Sequence, residues 1–144
     1  MSDKINNSNE VIEIRRIFRM SRKRILCVED EADMLEMVRF RLEQEGYEVI
    51  SAANGKEGLD KAYKDKPDLI LLDLMLPEKS GYEVCRILKS DTQFKVIPIV
   101  IFTARASVSE EQLGYECGAD DYITKPFMPD DFINRIKKLL KEEL

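Results

Sequence analysis

From Arg24 onward the chain alternates short unbroken apolar runs with longer stretches in which apolar residues recur every three or four positions. A strand with no polar interruption is buried on both faces by the helices that cross over it, so the alternation predicts a doubly wound α/β sheet. The first run is Arg24 to Val28, and a helix follows over about Asp33 to Glu45, with Met34, Val38 and Leu42 on one face and Gly46 as its stop. Tyr47 to Ala52 reads as the second strand. Asn54 then caps a helix through about Lys64, and Pro67 clears the chain for a third strand over Asp68 to Asp73. Ser80 starts a third helix, in which Val84, Ile87 and Leu88 repeat at helical spacing to about Ser90. Val96 to Phe102 is the fourth strand, a helix over about Val108 to Cys117 ends at Gly118, and a short fifth strand, Asp121 to Thr124, runs into Lys125-Pro126-Phe127. The closing helix carries Phe132, Ile133, Ile136, Leu139 and Leu140 as an apolar stripe, with Lys137, Lys138 and Lys141 toward the end where the helix dipole is negative. The pattern predicts five parallel strands with helices on both faces, all within residues 23–144.

Residues 1–22 stand outside this scheme. Met1 to Glu10 is polar and reads as an unordered extension, while Val11 to Arg19 reads as a short basic amphipathic turn. Arg15-Arg16 with Phe18 has the look of a twin-arginine export signal, but Ser21-Arg22-Lys23-Arg24 stands where an apolar stretch is required, which excludes export. Two readings of the segment remain: Met20 is the true start, or the extension docks on a partner.

The size, 144 residues with 44% apolar and 35% charged, suits one soluble domain, and no apolar run approaches the roughly 20 residues that span a bilayer. The net charge of −5 hides an asymmetry. The first 24 residues hold seven Lys/Arg against three Asp/Glu, leaving 16 against 25 in the remaining 120. An acidic body disfavours non-specific nucleic-acid binding. Cys27, Cys85 and Cys117 are far apart and odd in number, and histidine is absent. That combination favours buried, reduced thiols in a cytoplasmic protein, and it removes Ser-His-Asp, Cys-His and histidine-metal chemistry.

Candidate chemistry gathers where the strands end. Ligands of doubly wound sheets collect beyond the carboxyl ends of the strands. Glu29-Asp30-Glu31 follows the first strand, Asp73 the third, Thr103 the fourth and Lys125 the fifth. Taken singly, the acids also fit N-caps or solvated strand ends, Thr103 a core hydroxyl, Tyr122 a half-buried strand aromatic and Lys125 a surface charge. Their joint placement on one edge points to a site. Pro77 and Gly81 are read as loop and turn geometry.

Four stretches, Ile25-Leu26-Cys27-Val28-Glu29-Asp30-Glu31, Leu71-Leu72-Asp73-Leu74-Met75-Leu76-Pro77, Ile101-Phe102-Thr103-Ala104 and Gly118-Ala119-Asp120-Asp121-Tyr122-Ile123-Thr124-Lys125-Pro126-Phe127, occur in this order. With their spacing, they resemble the receiver domain of two-component response regulators, and the likeness runs from about Lys23 to the end of the chain. It implies the flavodoxin-like fold of the chemotaxis regulators, with strand order 2-1-3-4-5. It also implies that Asp73 is the phosphoacceptor and a Mg²⁺ ligand, Asp30 a direct ligand, Glu29 a ligand mainly through water, and Met75 a ligand through its backbone carbonyl. Thr103 and Lys125 would contact phosphoryl oxygens. Tyr122 would be an aromatic switch that turns inward once Thr103 moves, and the Lys125-Pro126 bond would be cis. Physics agrees with the metal: at an effective dielectric of about 20, each close carboxylate pair costs roughly 4 kcal/mol at 4 Å, which calls for a hard cation with oxygen ligands. Met75 and Arg105 flank the path of attacking water, so an apolar Met75 and a long Arg105 predict slow self-dephosphorylation.

The resemblance implies a switch that modifies only itself and is not an enzyme acting on other substrates. A sensor histidine kinase or histidine phosphotransfer protein would be the donor. The surface of the fourth helix of the α/β part, the fifth strand and the closing helix would meet a downstream protein, with no direct contact to nucleic acid or membrane. A monomer or a weak phosphorylation-dependent dimer is expected. The chain stops at Leu144 as the closing helix ends, which favours a stand-alone regulator. The alternative is the regulatory part of a longer DNA-binding transcription factor, although Glu110-Glu111-Gln112-Leu113 stands where such relatives offer basic residues for a dimer contact. A phosphatase with an aspartate nucleophile needs Asp-x-Asp after the first strand, and neither Glu29-Asp30-Glu31 nor Asp73-Leu74-Met75 supplies it. A receiver-like module that is never phosphorylated is disfavoured because every chemical position is filled.

Overall fold

Leu69-Ile70-Leu71-Leu72 has no polar position to offer water, and in the computed structural model, which describes residues 3–104 and 107–142, it is the central strand of a parallel sheet. The strands are β1 (Arg24–Val28), β2 (Glu48–Ala52), β3 (Leu69–Leu72), β4 (Ile99–Thr103) and β5 (Asp121–Thr124), hydrogen-bonded in the order β2-β1-β3-β4-β5. The helices are α1 (Asp3–Ser21), α2 (Ala32–Gln44), α3 (Gly55–Asp65), α4 (Gly81–Lys89), α5 (Val108–Glu116) and α6 (Pro129–Leu139).

Alternate strand residues point to opposite faces, and this sorts the core into two halves. Leu26, Val28, Ile70, Leu72, Ile99 and Ile101 meet Ala62 of α3, Val84, Cys85 and Leu88 of α4, and Cys117 at the end of α5. Ile25, Cys27, Leu69, Leu71, Val100 and Phe102 meet Val38 and Leu42 of α2 and Phe132, Ile133 and Ile136 of α6. Each aliphatic side chain so buried contributes about 1.5–3 kcal/mol. The two-faced burial is what the unbroken apolar runs require. All three cysteines are buried and unbridged.

The local signals act as their chemistry dictates. Asn54 and Ser80 accept the backbone N–H of Glu57 and Glu83 at the starts of α3 and α4, and Gly46 and Gly118 take positive φ of 92° and 99° after α2 and α5. Strand four departs from the expectation at its start. Ile97 N–H turns back to the Phe94 carbonyl at 3.0 Å, and Pro98 has no N–H to donate, so pairing begins at Ile99 rather than Val96. The N-terminal extension also differs: it is one helix from Asp3, longer than the turn read over Val11 to Arg19. Its sequence holds no glycine or proline to break a helix, and residues 8–17 are exposed throughout. Among the described residues no helix is long and apolar enough to cross a membrane.

Candidate functional site

The parallel register sets the site. Cys27 pairs with Leu71 and Val28 with Leu72, so Glu29 and Asp73 leave adjacent strands side by side, and the Asp73 N–H donates to the Val28 carbonyl at 3.2 Å. Thr103 ends β4 opposite Thr124 of β5, and Lys125 N–H donates to the Thr103 carbonyl at 2.8 Å. Among the described residues the buried polar or charged ones are Glu29, Asp73 and Thr103, exposed by 1%, 6% and 1%. Burying two acids costs free energy unless they are paired, so their gathering at the strand ends marks this edge as the candidate site.

Glu29, Asp30 and Asp73 each offer an oxygen, all within 4.8 Å of one another, with Asp30 on the exposed side. Lys125 Nζ lies 2.6 Å from Glu29 Oε2 and 3.4 Å from Asp73 Oδ2, and 4.6 Å from the centre of the Phe102 ring. The lysine therefore faces Glu29 first and Asp73 second, where the sequence reading aimed it at a phosphoryl group. Glu29 Oε1 accepts the Glu31 N–H at 3.1 Å, and Asp73 Oδ1 accepts the Met75 N–H at 3.3 Å. Burial pushes the Glu29 carboxyl above its ordinary pKa, against the opposing pull of the Lys125 bond. Burial works to lower the Lys125 pKa, but the Glu29 bond and the Asp73 charge outweigh it and the group is raised. The donor set is all oxygen, two members buried and one open to water, which fits a small divalent cation that keeps several waters. Lys125-Pro126 is cis.

Tyr122 is 5% exposed, its ring inward. Gly114 of α5 makes the room: a Cβ there would stand 2.9 Å from the ring carbon Cδ2. The structure holds the ring inside, the position to which the sequence reading has it turn once Thr103 moves. The Met75 side chain is 56% exposed, beside the acceptor. Arg105 lies outside the described residues.

Gly81, read from the sequence only as turn geometry, and Gly55, to which the sequence reading gave no role, both crowd the acceptor loop. A Cβ on Gly81 would fall 2.2 Å from the Asp73 carbonyl oxygen, and one on Gly55 would fall 1.8 Å from the Lys79 carbonyl oxygen. The Gly81 N–H donates to the Leu74 carbonyl and the Gly55 N–H to the Pro77 carbonyl, both at 3.2 Å, so the starts of α3 and α4 pin the 73–80 loop. Gly81→Ala is expected to destabilise the protein by about 1–3 kcal/mol in urea unfolding, because the obstacle is backbone at the acceptor and cannot rotate away. Nothing in the local sequence signals either contact, since each joins residues far apart in the chain.

Residues 25–137 match the family described as response regulator receiver domain. Over 119 residues the chain is 45% identical to the alkaline phosphatase synthesis transcriptional regulatory protein PhoP of Bacillus subtilis, covering 83% of this chain and 49% of that protein. It is 44% identical to the phosphate regulon transcriptional regulatory protein PhoB of Klebsiella pneumoniae, covering 83% and 52%. The chain thus spans about half the length of these curated relatives. Among solved structures it resembles a CheY-like receiver domain protein from Methanospirillum hungatei, with TM-score 0.79, 36% identity and coverage of 84% and 95%. The chemotaxis protein CheY4 of Vibrio cholerae is also similar, with TM-score 0.77, 32% identity and coverage of 83% and 99%.

Proposed function

The chain belongs to the response regulator receiver domain family, and on that premise we propose that it is a phosphoryl-accepting switch whose acceptor is Asp73. The supporting observation is that the buried polar side chains among the described residues, Glu29, Asp73 and Thr103, stand together at the strand ends with Lys125 bonded among them.

A histidine kinase or phosphotransfer protein presents a phosphohistidine. An Asp73 carboxylate oxygen attacks the phosphorus in line, an O–P bond forms, the N–P bond breaks, and the imidazole keeps the electron pair and takes a proton. Glu29, Asp30, Asp73 and the Met75 carbonyl would hold a Mg²⁺ ion, which when bound would supply positive charge to offset that of the phosphoryl oxygens. Lys125, now shared between Glu29 and Asp73, turns its ammonium to one phosphoryl oxygen. Thr103 gives its hydroxyl to another. Moving a two-state equilibrium from 1:99 to 99:1 takes about 5.5 kcal/mol, and two or three hydrogen bonds to a dianion, each worth about 1.5–3 kcal/mol, are of that size. Movement of Thr103 reaches α5, β5 and α6, the surface that would meet a downstream protein. The chain acts on itself and turns over no external substrate. Cysteines without a disulfide suit a cytoplasmic location.

The lifetime of the acyl phosphate follows from what shields it. Met75→Asn is expected to hasten its hydrolysis about tenfold, a barrier change of about 1.4 kcal/mol, by offering water a polar partner beside Asp73. A decay rate matching wild type contradicts the shielding role of Met75.

A second reading is favoured by the comparison lengths: the chain spans about half of two relatives named as transcriptional regulatory proteins. It is then the regulatory half of a DNA-binding factor. A longer reading frame encoding a further domain supports this reading, and the acidic Glu110 and Glu111 on α5 argue against a dimer built on basic residues there.

Intact-mass spectrometry after incubation with acetyl phosphate tests the switch. One added phosphoryl group with Mg²⁺ and none with EDTA is expected, and a folded protein unmodified in both contradicts it.

A further inference from the structure

A lysine carries its charge on a flexible four-carbon stem, so the ammonium group has a fixed place only where something holds it. The Lys125 N–H extends the pairing of β5 with β4, in which Ile123 stands opposite Phe102. Strand residues two apart share a face, which puts Lys125 with Ile123 and Phe102 on the side that α2 and α6 cover. There Lys125 Nζ lies over the Phe102 ring, 4.6 Å from its centre.

Phe102 is fully buried and belongs to the half-core of Cys27, Leu71, Ile123 and Phe132, so its ring has no freedom to turn toward water. The Lys125 side chain is itself only 10% exposed. An ammonium group within about 6 Å of a ring centre is drawn to the negative face, and most strongly where water is excluded. Lysine has three N–H donors, and here they meet Glu29 Oε2, Asp73 Oδ2 and the ring.

The ring differs from its two companions in one respect. Glu29 and Asp73 belong to the oxygen cluster that fits a divalent cation, and an oxygen that serves a cation is no longer free to hold the ammonium group. A phenyl ring is no ligand for a hard cation, so its hold on Lys125 persists while the acids change partner. Leucine would fill much of the same space in the core, but it has no π-face and would leave the charge unheld.

We propose that Phe102 is a positioning residue for phosphoryl transfer, its ring face holding the Lys125 ammonium group at the strand ends within reach of a phosphoryl oxygen; this rests on the reading of Asp73 as acceptor. The ring touches neither acceptor nor donor and acts through Lys125 alone. By narrowing the space that the lysine searches, it lowers the entropy lost when the ammonium group meets the incoming charge.

The test uses the full chain as wild type, as Phe102→Leu, and with Phe102 replaced by phenylalanines carrying one, two and three ring fluorines. Fluorine draws electron density from the ring face at nearly constant shape. Without phosphoryl donor, the NMR order parameter of the Lys125 ε-methylene group is expected to fall stepwise with each fluorine and furthest in Phe102→Leu. With acetyl phosphate and Mg²⁺ the phosphorylation rate should fall in the same steps. Three fluorines should slow it about tenfold, a barrier change of about 1.4 kcal/mol, which is the size of a desolvated cation–π contact. An order parameter that ignores the fluorines and drops only in Phe102→Leu shows that the ring merely fills space, and overturns the hold. A falling order parameter with an unchanged rate overturns the positioning role, as does a falling rate with an unchanged order parameter. A wild type that takes no phosphoryl group, while the order parameters fall as expected, overturns the reading of Asp73 and with it the positioning role, but leaves the hold itself demonstrated.

Discussion

Asp73→Ala is expected to abolish phosphoryl uptake completely while leaving the protein folded and no less stable. The side chain is buried at the carboxyl end of β3 beside Glu29, and its oxygen is the acceptor in the proposed transfer. Alanine has no atom to form the O–P bond, so the loss is total rather than a slowing. Stability behaves differently because Asp73 is one of three acids crowded within 4.8 Å. Removing one relieves repulsion, and Lys125 keeps its shorter bond, the one of 2.6 Å to Glu29. The variant should therefore unfold in urea at a midpoint equal to or above that of wild type, with no added mass after acetyl phosphate. A variant that still gains one phosphoryl group shows that another side chain is the acceptor.

Lys125→Met is expected to have the largest effect on stability. The ammonium group is the counter-charge to two buried acids, and removing one partner of a buried pair costs about 3 kcal/mol or more, because the remaining charge has nothing to meet it. The pH dependence follows from the two raised groups. Lys125 is raised, so its contribution is fully present below the ordinary lysine pKa of about 10.4 and is lost as pH climbs through the higher folded value. Glu29 is an acid with a raised folded pKa, so the folded state holds its proton more readily. Its effect favours folding on the acid side and is lost as pH rises through that value. Without Lys125 the Glu29 carboxyl rises further, and protonation relieves the variant as pH falls. The stability gap between wild type and variant should be widest from neutral to mildly alkaline pH and should narrow toward pH of about 4. Added Mg²⁺ should narrow it also, by supplying positive charge to the same oxygens. Urea unfolding at several pH values, with and without Mg²⁺, measures both. A gap independent of pH and metal means that Lys125 contributes packing rather than charge.

The strands and most of the site were legible in the sequence because burial on both faces leaves an unambiguous mark. The apolar runs Ile25–Val28 and Leu69–Leu72 can only be central strands, and a carboxylate directly after each can only stand at the sheet edge. The caps Asn54 and Ser80 and the stops Gly46 and Gly118 were equally plain, since each is a local backbone requirement. What escaped depends on contacts between distant segments. That Gly81 lies against the Asp73 carbonyl, that Gly114 makes room for Tyr122, and that Tyr82 reaches Glu110 are facts of packing with no periodic trace. The same holds for Lys125, whose nearest partner, Glu29, is 96 residues away. The start of β4 was misplaced because Val96 and Ile97 continue the apolar run although the backbone has turned away.

The central claim is that one particular carboxylate forms an acyl phosphate. Borohydride reduces an acyl phosphate to the alcohol and leaves free carboxylates intact, so a phosphorylated aspartate becomes homoserine. Peptide mass spectrometry of the chain treated with acetyl phosphate, Mg²⁺ and then borohydride should find homoserine at position 73 and aspartate at position 30. Homoserine at another position, or none in a chain that had gained phosphoryl mass, contradicts the account.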